Sequence, residues 1–106
     1  MWTPARRQSR IVDLTSAGPA RLYNIACKGR IAAGYDADLT LVDLKRSETI
    51  TNQWVASRAG WTPYDGMRVT GWPVGTFVRG KRVMWQGELT TASTGEPVRF
   101  LETLKA

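Results

Sequence analysis

The sequence predicts a mainly β domain, a small β-sandwich or partly open barrel, with one short N-terminal helix. Three observations predict it. Helix-start residues and helical spacing are confined to residues 9–28. Beyond Gly29 the chain turns to short apolar and β-branched runs punctuated by glycine, proline and aspartate. Residues 76–86 carry a hairpin pattern. The chain has 106 residues, 42% of them hydrophobic and 23% charged, which suits one domain with a modest core.

Residues 1–8 read as a disordered leader. Ser9 is placed to cap a helical segment, Arg10 to Leu14, with Ile11, Val12 and Leu14 as its apolar members. A second start follows at Ser16-Ala17-Gly18-Pro19, where serine caps and proline fits a first helical turn whose N–H is unpaired anyway. Ala20, Tyr23 and Cys27, with Ala26, recur at helical spacing and predict a helix over 19–27. Lys28 suits the negative end of that helix, and Gly29 the left-handed cap. The expected organisation is a leader at 1–8, a helical segment at 9–28 and a β-domain at 29–106.

Gly34, Asp36 and Asp38 punctuate a turn, and Asp38 to Leu44 reads as a strand with Leu39, Leu41 and Val42 as core residues. Ser47 to Thr51 is a second strand candidate. Arg58 to Gly66 is a loop, with Trp61 and Tyr64 expected to fold inward. Thr76-Phe77-Val78-Arg79 and Arg82-Val83-Met84-Trp85 flank Gly80-Lys81, which predicts a type II′ turn with Val78 opposite Val83 and Phe77 opposite Met84. Glu88 to Pro97 is polar loop. Val98 to Leu104 is expected as a last helical turn or as an extended segment on the core.

The net charge is +6, from 15 Lys+Arg against 9 Asp+Glu. The basic residues are scattered; the clusters Arg6-Arg7-Arg10 and Arg79-Lys81-Arg82 fall short of a basic arm, so weak nucleic-acid binding at most is expected. No apolar run reaches membrane-spanning length, and no secretory signal follows the basic first residues. Cys27 is the single cysteine, which rules out an internal disulfide and suits a reducing cytoplasm.

Candidate chemistry is sparse. The chain holds no histidine, so a nucleophilic Cys27 has no imidazole to activate it, and packing is the expected role of its side chain. Asp36 and Asp38 share a face if extended, but beside a glycine they are expected to shape a turn, not to bind a metal. Gly71-Trp72-Pro73-Val74-Gly75 lacks the Gly-Lys-Ser/Thr ending of a phosphate loop. Trp61, Trp72 and Trp85 are expected in the core, with Trp2 and Trp54 exposed. Arg58 is a candidate ion-pair partner for Asp65 or Asp36. No catalytic, cofactor-binding or metal-binding residue is assigned.

Residues Thr15–Arg21, Lys28–Leu44, Ala56–Gly66 and Val69–Val83 with Gly87-Glu88 are four stretches that together resemble the amidohydrolase superfamily, and dihydroorotases in particular. Thr15-Ser16-Ala17-Gly18-Pro19-Ala20-Arg21 resembles the final helix of the dihydroorotase barrel. Lys28 to Leu44 resembles the turn and strand by which such chains leave the barrel. Ala56 to Gly66, with Trp61-Thr62-Pro63-Tyr64-Asp65-Gly66, resembles their long loop. Val69 to Val83, with Gly87-Glu88, resembles their closing hairpin. The resemblance covers roughly residues 10–100.

It implies the C-terminal part of a composite β-domain and, for the parent family, zinc-dependent interconversion of carbamoyl-aspartate and dihydroorotate in pyrimidine biosynthesis. The family's zinc ligands belong to a (β/α)8 barrel upstream of the matching stretches, so none is carried over here, and no cofactor is expected on this chain. The implied role is a non-catalytic, truncated portion of such an enzyme. The alternative is a basic β-domain acting as a binding module, or a subunit docking on a separate barrel-bearing chain; self-association is a further expected partner mode. A domain lacking its N-terminal strands should show an open edge and an apolar face drawn from Leu39, Leu41, Val78, Val83 and Trp85, with Ile11, Val12 and Leu14; the helical segment is expected to fold back over the sheet, in preference to edge pairing of two copies or docking of a barrel chain.

Overall fold

A helical stretch starts at Thr3, whose side-chain oxygen accepts a hydrogen bond from the Arg6 N–H, with Pro4 in the first turn. In this computed structural model, residues 3–90 and 95–101 are described. Helix α1 runs Pro4–Val12, so residues 4–8, expected as leader, are helical. The start lies at Thr3 and not at Ser9, because the Thr-Pro pair provides both cap and first turn; Ser9 Oγ instead bonds to the Ala5 carbonyl. Trp2 and residues 102–104 lie outside the described residues.

The helical path continues through a π turn, Asp13–Ala17, into α2, Gly18–Leu22. Pro19 explains the widened turn. It has no N–H to donate backward and its ring crowds the carbonyl four residues earlier, so the ladder opens just before it. Gly18 allows the turn to close, since its N–H bonds to the Asp13 carbonyl and a Cβ there would stand 2.5 Å from that oxygen. Ser16 is therefore inside the helical path and caps nothing. The expected helix over 19–27 stops at Leu22: Tyr23 leaves helical geometry and Asn24 takes a left-handed φ of 53°, a conformation asparagine tolerates at helix ends. Ile25 then bridges Phe100, with Ala26 N–H to Arg99 carbonyl at 2.8 Å and Leu101 N–H to Asn24 carbonyl at 2.7 Å. The described part of the expected 98–104 segment is thus extended and not a helical turn, and Val98, Phe100 and Leu101 are exposed, not packed on a core.

Four antiparallel strands form an open sheet in the order β1-β2-β3-β4: Leu39–Thr49, Arg68–Val78, Lys81–Trp85 and Glu88–Leu89. The mainly β architecture with an N-terminal helix is as expected, and the sheet does not close. The two separate strands expected at 38–44 and 47–51 are one strand with an interruption. Between Asp43↔Trp72 and Ser47↔Thr70 the register slips. Asp43 causes it, its Oδ1 accepting from the N–H groups of Lys45 (3.0 Å) and Arg46 (3.2 Å). A second shift, from Leu41↔Gly75 to Val42↔Pro73, leaves Val74 as an extra residue in β2. That resets the side-chain alternation and puts Trp72 and Gly75, the two buried positions of β2, on one face. The indole of Trp85 lies over Gly75, where a Cβ would meet it at 2.9 Å.

The chain divides into two units. The first gathers the chain up to Asp38, the hairpin tip Val78–Lys81 and residues 95–101; the second gathers Leu39–Phe77 and residues 82–90. In the second, Trp72 is the buried hydrophobic residue among those described, with the Trp54 ring centroid 4.8 Å away. The 58–66 loop is organised by hydrogen bonds and not by burial. Asp65 Oδ1 accepts from the Asn52 N–H, and Asn52 Oδ1 accepts from the Thr62 N–H, both at 2.8 Å. Trp61 and Tyr64 consequently stay in solvent, 62% and 56% exposed, against expectation. Trp85 is partly exposed too. Ile11, Val12 and Leu14 are exposed as well.

Candidate functional site

The densest set of charged contacts lies in the first unit, where three stretches distant in sequence meet. Lys28 follows the turn that Asn24 begins. Asp36 and Asp38 follow the Gly34 turn. Arg79 sits at the hairpin tip. The Lys28 ammonium donates to Asp36 Oδ2 at 3.1 Å and to Asp38 Oδ2. The Arg79 guanidinium lies 3.3 Å from Asp36 Oδ1 and 3.6 Å from Glu96 Oε2. Backbone groups join in: Arg79 N–H donates to Asp38 Oδ1 at 2.8 Å, Gly80 N–H to the Ala37 carbonyl at 3.0 Å, and Asp36 N–H to the Cys27 carbonyl at 2.8 Å.

These bonds place the hairpin turn. With Arg79 and Gly80 N–H groups captured, both residues adopt left-handed φ, 52° and 78°, which is the signature of a type I′ turn. The turn is therefore Arg79-Gly80, one residue before the expected Gly80-Lys81, and Val78 and Lys81 flank it. The expected Val78–Val83 and Phe77–Met84 pairs do not fit that turn. Lys28 does not cap a helix either; its charge is spent on the two aspartates.

The electrostatics follow from the contacts. The Asp38 hydrogen bond raises the Lys28 pKa above the ordinary lysine value, with Asp36 adding to it against the cost of burial. The Lys28 hydrogen bond lowers the Asp38 pKa, helped by the Arg79 N–H. Asp13, in the π turn, is lowered first by its hydrogen bond to Arg21 and also by Arg10.

Asp36 and Asp38 shape a turn, as their place beside Gly34 leads one to expect. Asp36 and Asp65, candidate partners of Arg58, are engaged elsewhere, Asp36 with Lys28 and Arg79, Asp65 with Asn52. Cys27 is half-buried in a turn at a left-handed φ of 59°, not on a helix face. Among the described residues, no three of His, Cys, Asp and Glu come together in a group able to hold a metal ion. The residues present do not fit zinc. Histidine is absent from the sequence, and the two aspartates that converge are already neutralised by an ammonium and a guanidinium. No described helix is long and apolar enough to cross a membrane.

Comparison with known proteins gives a consistent picture. The model of the amidohydrolase family matches residues 6–83. The dihydroorotase of Methanothermobacter thermautotrophicus is 44% identical over 81 residues, 76% of this chain and 19% of that protein. The dihydroorotase of Pyrococcus furiosus is 40% identical over 88 residues, 83% of this chain and 21% of that protein. Among solved structures, L-hydantoinase (dihydropyrimidinase) from Arthrobacter aurescens superposes with a TM-score of 0.72 at 37% identity, over 77% of this chain and 18% of that one. The dihydropyrimidinase of Brevibacillus agri superposes with a TM-score of 0.71 at 32% identity. The chain spans about a fifth of the length of the curated relatives it matches.

Proposed function

The chain belongs to the amidohydrolase family, and on that footing we propose that it is a non-catalytic, structural portion of a dihydroorotase-like enzyme. In this reading the interconversion of carbamoyl-aspartate and dihydroorotate belongs to groups outside these 106 residues. One observation carries the proposal. The acidic groups that converge, Asp36 and Asp38, are consumed by Lys28 and Arg79 in holding a turn against a hairpin tip. They are thereby withdrawn from metal binding and from proton transfer. What the cluster does is mechanical: it fixes residues 36–38 and 79–80 to each other.

Two measurements test this. The purified chain is incubated with dihydroorotate and zinc or cobalt; no turnover above the buffer blank is expected. It is also co-expressed with a dihydroorotase from which the matching stretch has been removed. Recovery of activity, relative to the truncated enzyme alone, supports the structural role. Turnover by the chain alone that survives repurification, or failure to restore any activity while both chains are soluble, would overturn it.

A further inference from the structure

Beside α2 the first unit bears an open, solvent-facing cavity of about 850 Å³, within the size range of small-molecule sites. Its apolar lining includes Ala20, Ile25, Tyr35 and Leu101, and its cationic lining consists of Arg21, Lys28 and Arg30. No carboxylate lines it. Two of the cations are occupied, Arg21 by Asp13 at 2.7 Å and Lys28 by its two aspartates. Arg30 has no ion pair among the described residues; its guanidinium stands 5.8 Å from the centre of the Tyr35 ring.

A second observation concerns the backbone of the same wall. Residues 27–30 all line the cavity. Cys27 and Gly29 take left-handed φ, 59° and 87°, on either side of Lys28, which does not. Left-handed residues at such close spacing bend the backbone so that neighbouring N–H groups can face one concave side, and concavities of this kind hold anions. Among the described residues, the N–H groups of Cys27, Gly29 and Arg30 donate to no protein acceptor. Gly29 is required at this spot, because a Cβ there would stand 2.8 Å from the Ala20 Cβ, against the wall of α2.

We propose that this cavity is a binding site for a small organic acid, its carboxylate held by Arg30 and the 27–30 backbone and its apolar body lying against Ile25, Tyr35 and Leu101. The site shares Lys28 with the Asp36–Asp38 cluster and does not depend on the chain's role in an enzyme. A bare oxyanion meets only the charged half of the site, and an uncharged body only the apolar half, so each alone binds more weakly than the two together.

The test uses benzoate, inorganic phosphate and benzamide as probes of the full chain, followed by amide chemical shifts. Benzoate is expected to shift the amides of Cys27, Gly29 and Arg30 saturably in the millimolar range, with both phosphate and benzamide weaker. Arg30→Gln is expected to weaken benzoate roughly fivefold, the loss of one partly solvated charge contact. Arg21→Gln, whose side chain already serves Asp13, is expected to change it less than about twofold. Retained spectral dispersion shows that each variant is folded. Benzamide binding as tightly as benzoate, unsaturable shifts at residues 27–30, or an Arg30→Gln chain that binds benzoate like the parent would each overturn the proposal.

Discussion

Replacing Lys28 by methionine tests whether the Lys28–Asp36–Asp38–Arg79 cluster is what holds the first unit together. The substitution keeps most of the side-chain volume and removes the charge. It leaves Asp36, with 14% of its side chain exposed, facing Asp38, with 31% exposed, and one guanidinium between them and Glu96. Breaking a fully buried ion pair costs about 3–5 kcal/mol and an exposed one about 0–1 kcal/mol. The Lys28 side chain is 20% exposed, which places the loss between those limits, at about 2 kcal/mol. In a chain of this size that corresponds to a fall of about 8–16 °C in melting temperature.

The pH dependence has a defined sign. Lys28 is raised in the folded state, so its contribution is complete below the unfolded lysine pKa, about 10.4, and is lost as pH rises through the folded value. Asp38 is lowered, so its contribution is present above the unfolded aspartate pKa, about 3.9, and is lost as pH falls through the folded value. The gap between parent and Lys28→Met should therefore be widest across neutral pH and narrow toward both extremes. Thermal melts by circular dichroism from acid to alkaline pH measure it. An unchanged melting temperature at neutral pH, or a gap that grows in acid, would refute the reasoning.

Gly18→Ala should cost about 2–3 kcal/mol and reduce helical ellipticity, because its Cβ would meet the Asp13 carbonyl oxygen at 2.5 Å and that partner is backbone. Gly75→Ala should cost less, about 1–2 kcal/mol, since the obstructing Trp85 ring is partly exposed and has room to tilt; a change in tryptophan fluorescence should accompany it. Calorimetry with zinc should show no one-to-one complex of submicromolar affinity, since the two converging carboxylates are already paired. Titration with oligonucleotides should give only weak quenching that fades as salt rises; saturable micromolar binding at physiological salt would favour the binding-module alternative.

Local chemistry was legible where the structure obeys local rules. The hairpin was located to within a residue because Gly80 and the apolar flanks leave few choices, and the open β architecture followed from where helical spacing ends. The remainder depends on side chains reaching across the chain. Asp36 and Arg79 lie 43 positions apart, and no period or spacing links them, yet the bonds that Arg79 makes to Asp36 and Asp38 help decide which two residues form the turn. The helix ended early because the first left-handed residue after it is Asn24, five positions before Gly29, which is left-handed too. The signal was present, since asparagine ranks next to glycine there, but the recurrence of Ala26 and Cys27 masked it. The join of two strand candidates into β1 rests on Asp43, whose side chain mimics a turn inside a strand; an aspartate in mid-strand before Lys45-Arg46 was the available hint.

That aspartate has a consequence for how the chain behaves when concentrated. Leu41, Val42 and Leu44 lie 43–55% exposed on the outermost strand, in a stretch rich in β-forming residues. Such a strand is a template on which further chains stack into fibres. By drawing two backbone N–H groups onto its own carboxylate, Asp43 breaks the template partway along and leaves a short run, residues 39–43, in place of an unbroken ladder. Asp43→Asn keeps the acceptor oxygen and the break while removing a charge. Asp43→Val removes the break itself, and is the change that should make the chain seed thioflavin-positive assemblies where the parent does not.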